Sequence, residues 1–313
     1  MSTATLNPTG RRAGRSTASL RHRLAERGID PLLMLVLPAL LFTLALFVYP
    51  FAYGIGLTFQ PTAATQERWG GGVLANYVAF FSDPFIRDSI WITMRLAVPA
   101  ALLNVVLSVP VAMVLRRKFR GKRLMSSMLV LPITLGTVLT AQGLLIFAGR
   151  QGWINRFLMT VGVIDEPLKL VNNYLGVMFS LIITGFPFAF LLVSSYLSGI
   201  DPSLESAART LGAGWAQRFR RIVLPLLAPG LATTFILTFV LAFSVFPSAR
   251  LVGDPGGETR VMALMAYRSF GEQLDYPMAS TIALIMGVVE LVVVAIVFAW
   301  RSLLYKGSTG GKG

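Results

Sequence analysis

The sequence predicts an all-α membrane protein with six membrane-crossing helices, and three observations carry that expectation. Of its 313 residues, 55% are hydrophobic and only 13% are charged, about half the charged share of a soluble domain. The apolar residues gather into six runs, each long enough for the about 20 helical residues that cross ~30 Å of hydrocarbon. Lys and Arg outnumber Asp and Glu 28 to 14, and the surplus falls in alternate connections between the runs. A disordered basic chain is excluded, because such chains lack apolar surface. With no Cys there is no disulfide, thiolate metal site or cysteine nucleophile, and a single His22 leaves little imidazole chemistry.

Residues 1–30, rich in Ser, Thr, Gly and Arg without periodicity, are expected to be a disordered basic tail. The first run, Pro31 to Phe59, is too long for a signal-peptide core and is kept as a span. The others are Ser89 to Leu115, Leu124 to Ala148, Tyr174 to Tyr196, Leu226 to Pro247 and Ala279 to Trp300, so that a membrane domain covers 31–305 and 306–313 form a flexible C-tail. Between spans one and two, Gln60 to Asp88 carries Gly70, Gly71 and Gly72 with Tyr77, Phe80 and Phe81, enough for a small extramembrane element. In 150–173, Trp153, Ile154, Phe157 and Leu158 at helical spacing predict an amphipathic helix near the membrane interface. Segment 248–278 is similarly mixed. Pro38, Pro50, Pro99, Pro110, Pro132, Pro187 and Pro229 fall within spans, where freed carbonyls must be satisfied by neighbouring helices or water. Gly176, Gly185 and Gly287 are expected at helix contacts.

Charge sets the expected orientation, since basic residues of short loops stay on the cytoplasmic side. Arg11, Arg12, Arg15, Arg21, Arg23 and Arg27 precede span one, and Arg116, Arg117, Lys118, Arg120, Lys122 and Arg123 lie between spans two and three. Adding Arg209, Arg218, Arg220 and Arg221 after span four and Arg301, Lys306 and Lys312 after span six gives 19 basic against four acidic residues on that side. The opposite loops hold eight basic and nine acidic. Both termini are therefore expected in the cytoplasm. Topology and anionic lipid account for the surplus, without nucleic acid.

The most informative stretch follows span four, Gly199 to Gly230. Asp201 is placed to cap a helix beginning at Pro202, with Glu205 in the first turn where the helix dipole favours negative charge. Leu204, Ala208, Leu211, Trp215, Phe219 and Ile222 recur at three- and four-residue spacing. Gly212 and Gly214 can turn the chain between two short helices, and Pro225 is expected to end the second before span five. The reading is a helix-turn-helix with a small-residue face at Ala207 and Ala208, which a partner groove accepts closely.

The order Ala207-Ala208, Gly212, nine residues, then Ile222-Val223-Leu224-Pro225 resembles the EAA loop of binding-protein-dependent ABC importer permeases. The tract GRQGWINRFLM followed by IDEPLKLVNN is similar to the spermidine/putrescine-type branch. The resemblance implies a type I ABC importer permease fold in a bacterial-type cytoplasmic membrane. It also implies a loop that couples to a separate ATPase through Glu205, Ser206, Ala207, Ala208, Leu211, Gly212, Ile222, Leu224 and Pro225. Ser206 stands at the family's glutamate position, six before the glycine, with Glu205 beside it. Implied partners are two ATPase subunits, a second permease of different sequence and an extracytoplasmic solute-binding protein, with a polyamine-like solute. The chain lacks a Gly-rich loop ending in Gly-Lys-Ser/Thr. ATP and Mg are therefore expected on the ATPase, with no cofactor or metal on this chain.

Candidate translocation residues are Glu290 and Arg95, ionisable groups inside spans, with Gln142 and Thr137 on a polar stripe of span three that includes Thr134 and Thr140. Arg95 lies near the outer end of span two, where snorkelling is the alternative. An ion-coupled secondary transporter needs several midplane ionisable groups, and only Glu290 fits. A membrane enzyme needs a nucleophile with a base or a metal cluster, which this composition disfavours.

Overall fold

A computed structural model describes residues 31–304 except Lys118. The expectations for 1–30, including His22 and the N-tail arginines, and for 306–313 with Lys306 and Lys312, lie outside the described residues. The chain divides into two compact units at Gly54 and Ile55. In the first, span one (Pro31–Thr58, continuing past the boundary) is helical through Pro38 and Pro50. The Thr43 hydroxyl bonds back to the Ala39 carbonyl, and Phe47 stacks on Phe51 one turn along.

In the second unit the small element after span one consists of helix Ala63–Trp69, a 3-10 turn Gly72–Leu74 and helix Ala75–Ser82. Asn76 donates to the Thr58 carbonyl at 3.0 Å and Tyr77 to the Thr58 hydroxyl at 2.8 Å, which ties this element to the chain at Thr58. Span two (Pro84–Leu115) starts earlier than its apolar run, because Asp83 accepts the Phe85 N–H at 2.8 Å and Pro84 occupies the first helical position. Span three (Lys122–Ala148) is broken at Gly136, with φ 69° and ψ 173°, a conformation open essentially only to glycine. The amphipathic helix forms at Trp153–Thr160, with Trp153 and Phe157 exposed. Span four (Tyr174–Ser198) is capped by Asn173, which accepts the Gly176 N–H at 2.9 Å.

Span five (Leu224–Phe243) stops short of Pro247, which opens a separate short helix, Pro247–Leu251. Two further elements, Met262–Tyr267 and a π turn Arg268–Glu272, precede span six (Tyr276–Leu304). The segment read as a mixed outer connection is in fact part of the core, since Ala249, Val252, Val261 and Met262 are fully buried. They pack with Leu96, Ala97, Ala100 and Ala101 of span two, Val177 and Leu181 of span four, Phe239 and Phe243 of span five and Ile282 of span six, apart from Val252, which joins a smaller cluster with Ala141 and Ala148. Alanines along span two permit close helix approach.

Polar ties fix the register. Thr93 accepts the Met262 N–H at 2.9 Å, satisfying one of the donors that open that helix. Ser180 and Ser248 share a bond of 2.8 Å, and Asn104 donates to the Leu181 carbonyl at 3.2 Å. Gly185 faces the Asn104 amide, which a Cβ would overlap, and a Cβ at Gly176 would lie 2.5 Å from the Val252 carbonyl oxygen. Both glycines are contact positions, as expected. Gly287 is not: among the described residues no atom lies within 4 Å of where its Cβ would stand.

Candidate functional site

The loop after span four is built from local signals. Asp201 is extended and accepts the Ser203 N–H at 2.8 Å, and Pro202 begins the loop helix (Pro202–Thr210). That backbone hydrogen bond first, and the Ser203 side chain second, hold the Asp201 carboxyl below its ordinary range. The helix ends in a Schellman motif. Gly212 N–H reaches the Arg209 carbonyl at 3.0 Å and Ala213 N–H the Ala208 carbonyl at 2.9 Å. Gly212 has φ 81°, the left-handed region where a Cβ is strained.

After Gly214 a second short helix, Trp215–Arg218, leads into a π turn, Phe219–Val223, and without interruption into span five. Pro225 therefore does not terminate the second helix. The Leu224 N–H reaches back five residues to the Phe219 carbonyl, and this wider turn absorbs a proline lacking its own N–H. Trp215 stacks on Phe219 with centroids 5.7 Å apart.

The loop helix has two faces. Leu204, Ala207 and Leu211 point outward, and Leu211 is 88% exposed. Pro202, Glu205, Ser206 and Arg209 face a cleft against span two. Ala208 is half-buried, and Ser206 is exposed with its hydroxyl bonded back to the Pro202 carbonyl at 3.1 Å. Glu205 is turned inward. Arg116, at the end of span two, donates through Nη1 to Glu205 Oε1 and through Nη2 to the Ile200 carbonyl, both at 2.5 Å. The base of the loop is apolar: Val223 and Leu227 are buried with Ala112 and Leu115 of span two and Val193 and Leu197 of span four. Ile222 and Leu224 are half-buried there, and Pro225 is exposed.

Arg116 and Val223 are site residues that sequence reasoning missed. Arg116 counts in the sequence only as one of a basic run, and nothing local links it to a carboxylate 89 positions away. Val223 and Leu227 carried a readable signal, an apolar pair one helical turn apart.

The candidate path residues are not joined to one another by any hydrogen bond or ion pair among the described residues. Arg95 is exposed, its guanidinium 5.0 Å from the Tyr174 ring centroid, while Tyr174 donates to the Arg95 carbonyl at 2.9 Å. Thr137 and Gln142 are exposed, and the Thr134 and Thr140 hydroxyls bond back to Leu131 and Gly136 carbonyls. Glu290 is half-buried, and its Oε1 has no hydrogen-bond partner among the described residues. No group of three or more His, Cys, Asp or Glu able to hold a metal occurs among the described residues.

Comparison with known proteins agrees with this architecture. Residues 10–308 match the family model described as "Binding-protein-dependent transport system inner membrane component". A probable sulfate transport system permease protein cysT of Prototheca wickerhamii is 31% identical over 217 residues, covering 69% of this chain and 83% of that protein. The spermidine/putrescine transport system permease protein PotB of Escherichia coli is 29% identical over 224 residues, covering 70% and 80%. Among solved structures, a bacterial alginate ABC transporter in complex with an alginate pentasaccharide-bound periplasmic protein superposes with a TM-score of 0.75 at 21% identity, over 92% of this chain and 99% of that one. The MetNI methionine ABC transporter, inward facing, gives 0.53 at 16% identity over 70% and 94%. These two likenesses establish the fold. Six helices are long and apolar enough to cross a membrane among the described residues. The chain belongs to the binding-protein-dependent transport system inner membrane components and is a multi-pass permease subunit of an ABC importer.

Proposed function

We propose that the loop of 199–230 is the joint through which a separate ATPase drives this permease. The observation that carries the reading is the outward face Leu204, Ala207 and Leu211, exposed among the described residues on a helix whose two ends are fixed by Asp201 and Gly212 and whose base is clamped to spans two and four. An apolar ridge of small and medium side chains suits a groove in a partner protein. Ala207, Ala208, Leu211 and Gly212 seat in that groove. Ile222, Leu224 and Pro225 carry its movement into span five, and Glu205 with Arg116 carries it into span two. Ser206 contributes a hydroxyl where the family has a carboxylate.

The complete importer then comprises this chain, a second permease of different sequence, two ATPase subunits holding ATP and Mg, and a solute-binding protein on the opposite face. The loop lies on the cytoplasmic side, and 31–305 form the membrane domain. ATP-driven closure of the ATPases pushes the paired loops together and shifts the spans from inward-open to outward-open. Arg95, Thr137, Gln142 and Glu290 remain candidates for the path.

The solute is polyamine-like. Relatives named for spermidine and putrescine support this, and those named for sulfate supply the competing outcome. Replacing Gly212 with a bulky residue, or Ala207 with Arg, should uncouple ATP hydrolysis from transport in reconstituted vesicles. Normal transport by both variants rejects the joint. Co-purification of the importer with its binding protein, followed by identification of the held ligand, tests the solute: sulfate in place of a polyamine rejects that assignment.

A further inference from the structure

The inward face of the loop helix borders a cleft of about 880 Å³, lined in part by Arg116, Glu205 and Leu224, whose interior none of the proposed coupling contacts fills. Its lining changes along the length of spans two and five. Deeper along the spans it is walled by Val106, Val109 and Met113 of span two and Leu231 of span five. At the level where span two ends and span five begins it is rimmed by Arg116, Arg117, Arg209 and Arg218 beside Trp215 and Phe219, with Glu205 the only acidic lining residue among the described ones. Arg116 is already committed to Glu205 and the Ile200 carbonyl. Arg117, Arg209 and Arg218 form no salt bridge among the described residues. Arg218 also holds a buried Nε–H without an acceptor, an arrangement that is unfavourable unless something supplies one.

We propose that this cleft holds one anionic phospholipid, its phosphate on Arg117, Arg209 and Arg218 and its acyl chains along Val106, Val109 and Met113. A basic pocket between spans at the headgroup level is a recognised setting for acidic lipid, and guanidinium groups suit phosphate through paired, charge-assisted hydrogen bonds. A water-soluble anion has no use for the apolar wall. A second copy of this chain would bring its own arginines against these. The ATPase-facing surface, Leu204, Ala207 and Leu211, lies on the other side of the loop helix and is not occluded. The lipid braces the loop helix from beneath, so an acidic lipid becomes a structural element of the joint. The lipid site rests on the membrane-spanning reading and not on the docking of an ATPase.

The test is native mass spectrometry of the full chain, purified in mild detergent with a defined mixture of phosphatidylglycerol and phosphatidylcholine and stripped progressively. One phosphatidylglycerol should outlast the rest on the unmodified chain. Arg117→Gln with Arg218→Gln should weaken its retention about 30-fold, the equivalent of about 1 kcal/mol for each basic residue removed. Arg220→Gln with Arg221→Gln removes the same charge from exposed positions outside the cleft and should leave that lipid in place. Met113→Trp keeps every charge but fills the apolar wall, and should also expel it, while circular dichroism reports unchanged helicity. Equal loss in the two arginine pairs, equal retention of phosphatidylcholine, or displacement by millimolar inorganic phosphate overturns the proposal. Because ATP and ATPase are absent from the experiment, failure here leaves the coupling assignment untouched, and failure of coupling leaves this result standing.

Discussion

The pair Arg116 and Glu205 offers the sharpest perturbation of the joint. The two side chains are 21% and 23% exposed, so they lie between a surface ion pair, worth about 0.2–1 kcal/mol, and a fully buried one, whose disruption costs about 3–5 kcal/mol. A coupling energy of about 1–2 kcal/mol is expected, a factor of about 5–30 in the fraction of loops held in the coupled geometry. Glu205→Ala leaves Arg116 half-buried without its carboxylate, although the Ile200 carbonyl remains. Arg116→Ala removes both bonds and should be the more damaging. The assay is the number of solute molecules imported per ATP hydrolysed by the complete importer in vesicles, for each single variant, for the double variant and for the exchange Arg116→Glu with Glu205→Arg. Both singles should lower the ratio, the double should be little worse than Arg116→Ala, and the exchange should recover part of the loss. If Glu205 instead meets the ATPase directly, Arg116→Ala is silent. That result, or singles that add to the double within about 0.3 kcal/mol, refutes the strut.

Gly212→Val places a β-branched residue at φ 81° and should cost about 1–2 kcal/mol at the end of the loop helix; ATP hydrolysis should persist while import falls, measured in the same vesicles. Asp201 has a lowered folded-state pKa, so its cap stabilises the helix above the unfolded pKa and the contribution is lost as pH falls through the folded one. The protection factor of the Ser203 amide, taken against its intrinsic exchange rate at each pH, should fall on acidification, and Asp201→Asn, which keeps an acceptor but cannot titrate, should abolish that dependence. Asn104→Ala removes one interhelical bond and should lower stability in detergent by about 0.6–1.7 kcal/mol. Gly185→Ala should be destabilised by overlap with the Asn104 amide, and adding Asn104→Ala should recover stability; a double variant less stable than Gly185→Ala contradicts the packing.

Much of the architecture was legible because the forces that set it act within a few residues or a single span. Hydrocarbon admits only segments that satisfy their own backbone over its full width, so apolar length alone locates the six helices. Capping is equally local: Asp201 with Pro202, and Gly212 past Arg209, mark both ends of the loop helix. The Trp153 helix follows from spacing in the same way. Pro225 misled because a proline reads as a stop, whereas the preceding π turn changes the backbone geometry that it meets.

What the sequence by itself determined is therefore the number of spans, the position of the loop and the limits of its first helix. Only the tertiary structure decided which way the loop helix faces, that Glu205 turns to Arg116, that Gly185 meets Asn104 while Gly287 meets no neighbour among the described residues, and that 248–278 enters the core. The physical reason is distance along the chain. Helix formation, capping and membrane insertion are governed by neighbours one or two turns away. The partner of a half-buried charge or a small residue is fixed only when spans far apart in sequence have packed, and no local pattern encodes that meeting.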